Sequence, residues 1–445
     1  MQLMNRIKRF LLSRTTILTL IILALGSMLL GSFIPQSFLL TSNGAAKWHA
    51  DYPTLAALAE RLGLHHIYTH PFFACIMLLA VGALLFSCIE QFKISRRRTF
   101  GEEFSGRKYE EFETPVDPGS VTSWLRQSGY ISVSSGKKGV RLCRHPWGYW
   151  GNFLLHVGML IVIASSLWIA LTQQRGMLHL AVGESFHPGD QWLSTEKGLL
   201  AKDFVLDRSV RLESVSYEFW PTYGVKNVAS LLTFQNKQNA GEQRTVGVNN
   251  ILYYQGLSIY QAVDFGHAFY VEVVDPAGVK NTYQLLLAHP EKPDKPSYGD
   301  FPNMLGPGRL LRAKYFVDPE KRSFARENPQ LVLRMDENGT QLGQLPLSIG
   351  GEGAIGRFHF RLIKVDKWSG LIFVKFFGIQ GVFFGFLIII FGSILNYFTP
   401  PREVIVRVLP DGETKISWRA VKFSEFYRDE FDRLKTEMTK EEANG

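Results

Sequence analysis

Cysteine is scarce in this chain and missing from its longest mixed-composition stretch. The 445 residues include only three, Cys75, Cys88 and Cys143, none of them between Gln173 and Lys375. That stretch has neither a disulfide framework nor a C-x-x-C thiol pair. If the protein serves an oxidative pathway, it does not perform the thiol chemistry there. A Walker loop, an H-E-x-x-H pair and a G-x-S-x-G turn are also absent, which removes the sequence signatures of P-loop nucleotide binding, zinc hydrolysis and serine hydrolysis. Acidic residues fall short of basic ones, leaving a formal net charge of +9. The surplus clusters beside apolar runs, so it needs no nucleic acid to explain it.

What the chain does have is four apolar windows. They run over about Ile17–Ile34, Pro71–Ile89, Trp150–Leu171 and Phe376–Phe398, each close to the roughly 20 residues that cross a bilayer. The first follows a basic head, is long for a signal-peptide core and precedes no A-x-A-like site, so it reads as a retained anchor. Lys and Arg set the orientation. Arg6, Lys8, Arg9 and Arg14 precede the first window, and Lys93, Arg96, Arg97, Arg98, Arg107, Lys108, Arg126, Lys137, Lys138, Arg141 and Arg144 lie between the second and third. Only Lys47 and Arg61 lie between the first and second. The expected fold is a multi-pass membrane protein: four transmembrane α-helices with a large β-rich extracytoplasmic domain between the third and fourth.

The corresponding segments are a cytoplasmic N-terminus with the first helix (1–34), a short extracytoplasmic loop (35–70) and the second helix (71–89). A cytoplasmic loop module (90–149), the third helix (150–172) and the extracytoplasmic domain (173–375) follow. The fourth helix (376–398) and a cytoplasmic tail (399–445) complete the plan. In the outer loop, "YPTLAALAERLGLHHIY" has helical spacing, and "HPFF" opens the second helix with proline in its first turn. The inner loop predicts a short helix near Ser120–Ser128 and then two strands, "YISVSS" and "GVRLCR", turned at "GKKG". From "VRLESVSYEFW" to "FHFRLIKVD", short aromatic and β-branched runs alternate with turns such as "DPAG" and "ENGT", predicting a sandwich or folded sheet. "HPEKPDKPSYGDFPNMLGPG" reads as an irregular exposed loop or a partner contact. The tail predicts a hairpin at "PDGE" and a final helix, "SEFYRDEFDRLKTEM", with a solvated face.

The chemistry concentrates on His156, inside "WGYWGNFLLHVGMLIVIASSLWIAL". An imidazole in hydrocarbon is expensive, and such residues usually face a bundle interior, a cofactor or a proton path. Counting from Trp150 places His156 about 9 Å along the helix, nearer the cytoplasmic end. Gly151, Gly158, Ser165 and Thr172 form a small-residue stripe on another face, and small stripes let helices approach closely. Gly378, Gly381, Gly385 and Gly392 supply a matching stripe in the fourth window. Three roles stay open for His156: a structural hydrogen bond, a haem-iron ligand, or a proton relay. No other window interior contains histidine, so iron bound there would take its opposite ligand from a second polypeptide. His70 is a candidate outer contact or simply the residue before a helix-opening proline. Tyr253, Tyr254, Tyr260 and Gln261 belong either to a surface or to a strand core.

Several segments resemble the ResB family, also called CcsB, of cytochrome c biogenesis proteins. "GSMLLGSFIPQSF" is similar to the family's Gly-x-x-x-Pro-Gln exit from its first helix, and "HVG" at His156 to its His-Leu-Gly. "VNNILYYQGLSIYQA", Val248 to Ala262, resembles the Asn-x-Pro-Leu…Gly…Tyr-Gln signature, with Ile251 in place of proline. "SGLIFVKFFGIQGVFFGFLIIIFGSILNYFTPPREVIV" resembles the last segment. The resemblance implies a subunit of a haem lyase (cytochrome c synthase) complex in the bacterial cytoplasmic membrane, without complete activity alone. It implies a CcsA-type haem-handling partner, transient haem shared with that partner, and apocytochrome c as the acceptor. By position it assigns His156 the role of cofactor and metal ligand, and no catalytic residue. The alternatives are a haem-binding subunit of a quinone-linked redox complex, and a membrane scaffold or sensor with an external β-domain.

Overall fold

Long apolar stretches uninterrupted by proline form helices, because in hydrocarbon every backbone N–H and C=O must be satisfied within the segment. The computed structural model describes residues 2–36, 48–101, 108–136, 139–236, 239–321 and 323–444. Its helices are α1 (Gln2–Leu11), α2 (Arg14–Phe33), α3 (Pro53–Arg61), α4 (Pro71–Phe100), α5 (Pro118–Gln127), α6 (Gly151–Thr172), α7 (Ile379–Tyr397) and α8 (Arg428–Asn444). Among the described residues four are long and apolar enough to cross a membrane: α2, α4, α6 with the short turn before it, and α7. Helix α4 continues to Phe100, past the expected end of its apolar window at Ile89. No proline or glycine interrupts its charged extension.

Two compact units divide the chain. The helix unit comprises Met1–Ser32, His70–Ala170 and Gly378–Gly445. In it the two small stripes meet, joining α6 to α7. A Cβ added at Gly158 would fall 2.8 Å from the Gly385 carbonyl oxygen, and one at Gly392 would fall 3.0 Å from that of Gly151. Backbone therefore touches backbone along this seam, and any larger side chain would part the helices.

The same unit carries a five-stranded antiparallel sheet in the order β1-β20-β19-β3-β2. Its strands are β1 (Glu110–Thr114), β2 (Ile131–Gly136), β3 (Gly139–Arg144), β19 (Arg402–Val408) and β20 (Thr414–Ala420). The expected helix and strand pair of the inner loop are present as α5, β2 and β3; Lys137 and Lys138 of the "GKKG" turn lie outside the described residues. The loop is not self-contained, however. The tail hairpin β19–β20 inserts between β1 and β3, so Val404 pairs with Leu142 on one side and Trp418 on the other. Asp117 caps α5 through the Gly119 and Ser120 amides, and Pro118 suits its first turn. Helix α8 does more than present a solvated face. Phe431, Leu434 and Met438 bury against Val121, Leu125 and Trp418, and close the core under the sheet.

The sheet unit comprises Phe33–Thr69 and Leu171–Phe377. Its strands are β4 (Gln174–Ala181), β5 (Ser185–Phe186), β6 (Ser194–Lys197), β7 (Ser209–Phe219), β8 (Val225–Asn236), β9 (Asn239–Gly247), β10 (Leu252–Tyr254) and β11 (Leu257–Val274). They continue with β12 (Lys280–Ala288), β13 (Ser297–Pro302), β14 (Arg309–Phe316), β15 (Gln330–Glu337), β16 (Thr340–Leu347), β17 (Glu352–Ile355) and β18 (Phe358–Lys375). The paired long strands β11 and β18 run through a seven-stranded sheet, and two four-stranded sheets, β13–β16 and β5-β7-β8-β9, complete the unit.

The unit has two principal cores rather than one sandwich. Phe269, Leu285, Tyr315, Leu333 and Phe360 centre the first; Leu212, Leu232, Ile259, Leu371 and Phe373 centre the second. Both draw on β11 and β18. The Pro-rich stretch expected to be irregular contains β13, which pairs with β14 in full register from Ser297 to Pro302. Proline is tolerated there at the strand's end.

Candidate functional site

His156 sits in the second turn of α6, half-buried. Its Nδ1 lies 2.8 Å from the carbonyl oxygen of Asn152, one turn earlier in the same helix. A carbonyl only accepts, so Nδ1 carries the hydrogen. That bond engages Nδ1 and leaves Nε2 as the nitrogen free to meet another group. Among the described residues nothing else bonds the ring. An imidazole held by one nitrogen and open at the other is the arrangement a metal ligand needs.

The surroundings fix where that open nitrogen stands. Asn152 donates through Nδ2 to Oε1 of Gln91 on α4, at 2.7 Å. Phe92 packs edge-on against Trp150 and Phe153, with ring centroids 5.6 and 5.5 Å apart. Ser95 Oγ donates to the Tyr149 carbonyl at 2.8 Å. Helix α4 thus holds the N-terminal end of α6 on one side, while α7 covers the glycine face. At about 100° per residue, His156 and Gly158 point well apart, so the imidazole is not consumed by the α6–α7 seam.

Below it lies a buried polar network that sequence reading missed. Glu403 of β19 is fully buried. It accepts from Arg141 Nη2 at 3.0 Å, from Tyr109 at 2.8 Å and from the Tyr149 hydroxyl. Arg141 also donates to the backbone carbonyls of Arg98, at 2.6 Å, and Gly101, at 3.1 Å. The end of α4, the turn before α6 and the sheet are therefore fastened together by one ion pair. Its partners are 262 residues apart in sequence, so no local pattern announces it. Burial, and then the Glu403 carboxylate, push the neighbouring Cys143 thiol up to about 12, which leaves it inert as a thiolate nucleophile.

In the sheet unit the quoted motifs turn out to be architectural. Gln36, from "IPQ", is buried. It donates to the Ile34 and Leu64 carbonyls and accepts from the Ile67 amide, tying the end of the described segment after α2 to the turn at Leu64–Ile67. The sequence from Leu252 to Ala262 is a hairpin, with positive φ at Gln255 and Gly256 fitting a two-residue turn. Tyr254 is buried and Tyr253 is 73 % exposed, as alternation demands. Gln261 binds Ser369 Oγ at 2.6 Å and Ser230 Oγ at 2.8 Å across an irregular pairing of β11 with β18. In the helix unit, His70 caps α4: its Nδ1 accepts from the Phe72 amide. A G-x-G-x-x-G run, Gly351 to Gly356, also occurs, but it builds the β17–β18 hairpin and not a strand-to-helix phosphate turn.

Apolar helices of membrane-crossing length together with extensive β-structure define a membrane protein that carries folded β-rich parts. The chain belongs to the ResB-like family, whose model matches residues 13–283. It is 24 % identical over 412 residues to the cytochrome c biogenesis protein CcsB of Prochlorococcus marinus subsp. pastoris, covering 87 % of this chain and 89 % of that one. With CcsB of Crocosphaera subtropica it shares 25 % identity over 359 residues, 76 % of this chain and 72 % of the relative. Among solved structures, the cytochrome c heme lyase CcmF aligns at 10 % identity with a TM-score of 0.26. That alignment covers 81 % of this chain, which spans just under half, 46 %, of the CcmF length.

Proposed function

We propose that the chain is a membrane subunit of cytochrome c biogenesis. With a CcsA-type partner it conveys haem across the membrane and supports its covalent attachment to apocytochrome c, and His156 ligates the iron through Nε2. The observation that carries the reading is the ring's hydrogen bond to the Asn152 carbonyl, which engages Nδ1 and leaves Nε2 available in a membrane-length helix. Imidazole suits iron, and a fixed tautomer raises its value as a ligand. The four apolar windows contain no second histidine, so any further protein ligand to the iron would be supplied by the partner. Haem here is cargo, held by this chain's imidazole on one side and passed on.

In this reading the protein sits in the bacterial cytoplasmic membrane. The excess of Lys and Arg supports placing 1–34 up to its helix, 90–149 and 399–445 on the cytoplasmic side, with 35–70 and 173–375 outside. The segments read as lying in the bilayer are 71–89, 150–172, 376–398 and the end of the first segment. The five-stranded sheet then faces the cytoplasm, and the sheet unit faces the compartment where apocytochrome is modified. Nucleic acid has no part in it.

The test is Soret absorbance of the purified full chain, alone and with its partner, for wild type and His156→Ala, after confirming membrane insertion. Loss of the band in the variant, restored by free imidazole in His156→Gly, supports the reading. A band unchanged by either substitution overturns it.

A further inference from the structure

One turn of the sheet unit carries leucines where turns ordinarily carry polar residues. After β6 the chain reverses over residues 198–201, closed by the Ala201 amide donating to the Gly198 carbonyl at 3.0 Å. Gly, Pro, Asn, Asp and Ser dominate such turns, each for its own backbone reason. Leucine has no such reason, and here neither leucine is packed away: Leu199 is 51 % exposed and Leu200 66 % exposed. Single exposed leucines are ordinary on a protein surface. Two side by side at the tip of a fixed turn are not scattered.

Strand register places this turn. Lys375, the last residue of β18, pairs with Gln174, the first of β4, and Gln174 pairs with Lys197, the last of β6. The three strands end on one line. Gln173 alone separates β4 from α6, and residues 376–378 separate β18 from α7, so this is the end of the sheet to which two membrane-length helices are joined. The turn is held there by three bonds. The Gly198 amide donates to the Gln173 carbonyl at 2.9 Å, and the Leu200 amide to that of Leu171, within α6, at 2.8 Å. Gln174 Nε2 donates to the Lys202 carbonyl at 2.7 Å. Leu200 is therefore level with the last turn of a helix long and apolar enough to cross a bilayer. Aromatic rings lie outward at the same end: Phe377 just past β18, and Tyr253 of β10, level through Ser258 with Val374. Charge begins just behind the tip, where Lys197 pairs with Asp203 at 2.6 Å and Lys202 is exposed. An apolar tip, outward aromatics and lysines set slightly back match the order of a bilayer boundary.

We infer that Leu199 and Leu200 insert into lipid at the acyl–headgroup boundary around the end of α6, making this turn a membrane-dipping anchor of the sheet unit. Immersion takes both side chains out of water. Because the turn is already tied to Leu171 and Gln173, little backbone freedom is lost when it enters. The inference rests on α6 crossing a bilayer and is independent of the haem reading.

The experiment places a single bimane fluorophore on the full-length chain in phosphatidylcholine nanodiscs. Cys75→Ser, Cys88→Ser and Cys143→Ser clear the background, and the label goes on Leu200→Cys or, as a second position, Leu199→Cys. Val279→Cys is the comparison; it is 52 % exposed, in the turn after the opposite end of β11. Each chain is measured in plain lipid and in lipid brominated near the top of its acyl chains. The label at Leu200→Cys or Leu199→Cys should emit to the blue of that at Val279→Cys and lose severalfold in intensity in brominated lipid, while Val279→Cys is unchanged. The inference is overturned if both leucine positions are unquenched with the emission of a water-exposed label. It is overturned equally if they are blue-shifted yet unquenched, which marks a surface covered by protein, or if Val279→Cys is quenched as much.

Discussion

His156 in the helix unit and His267 in the sheet unit are both imidazoles among apolar side chains, yet they are held differently. His267 is 3 % exposed, its Nδ1 is 3.2 Å from the Tyr315 hydroxyl, and its ring packs against Phe269, Tyr315 and His289. Burial, followed by His289 and Lys367, presses its pKa down to about 3. It is a core residue that happens to be polar. His156 is tied at one nitrogen, half-buried and open at the other. The contrast comes from the solvent each unit is built for. A sheet unit in water closes its apolar faces on each other, so anything inside is enclosed. Membrane helices are as apolar outside as inside, and a face left unpacked remains available to lipid, cargo or another helix.

The sharpest way to break that comparison is His156→Ala. It should abolish haem absorbance while leaving thermal unfolding of the full chain within about 0.5 kcal/mol, as substitutions away from packed or buried polar features usually do. His267→Ala should do the reverse, destabilising the sheet unit with the haem band retained. Next comes Glu403→Ala, which leaves Arg141 buried without its counter-charge. A cost of about 3–5 kcal/mol is expected, read as lowered thermal stability and as faster hydrogen exchange in β3 and β19.

A third variant, Gly158→Leu, forces a side chain onto the Gly385 carbonyl. Overpacking of this kind costs about 1–3 kcal/mol. Because it parts α6 from α7, it should also weaken haem retention, whereas Val263→Leu on the exposed bulge of the sheet unit should do neither. The smallest effect is in pH. His267 binds a proton less readily folded than unfolded, so its contribution is full above the ordinary histidine pKa and is lost progressively as pH falls from about 6.5 toward 3. Between pH 6.5 and 5.5 the His267 contribution alone should fall by on the order of 1 kcal/mol, with His179 and His289, also held low by burial, adding to the loss of the chain, and it is followed by hydrogen exchange in β11 and β14. His267→Gln should lessen that slope without removing it, and His156→Ala should leave it as it is.

How much of this was legible beforehand varied with the range of the interaction. The apolar windows, the matching small stripes and the hairpin at "PDGE" are local patterns, and each appears where its pattern pointed. His156 stood out for the same reason, as one imidazole in an apolar run. The sheet joining β3 to β19, the ion pair of Arg141 with Glu403, and the buried side of α8 depend on residues brought together from hundreds of positions away. No periodicity within either segment contains that information. The Pro-rich stretch was misleading for a related reason. "SYGDFP" has weak strand propensity by itself, and pairing with β14 makes it a strand.

By itself, then, the amino-acid order determined which segments are apolar enough for lipid, which alternate as strands, and which side chain carries an imidazole at membrane depth. Those properties depend on composition over one or two helical turns. Only the tertiary structure decided that Gln91 of α4 meets Asn152, one turn below His156. It also decided that Glu403 answers Arg141. Each is a matter of a few ångströms between groups whose separation is set by packing, and packing is a property of the whole chain.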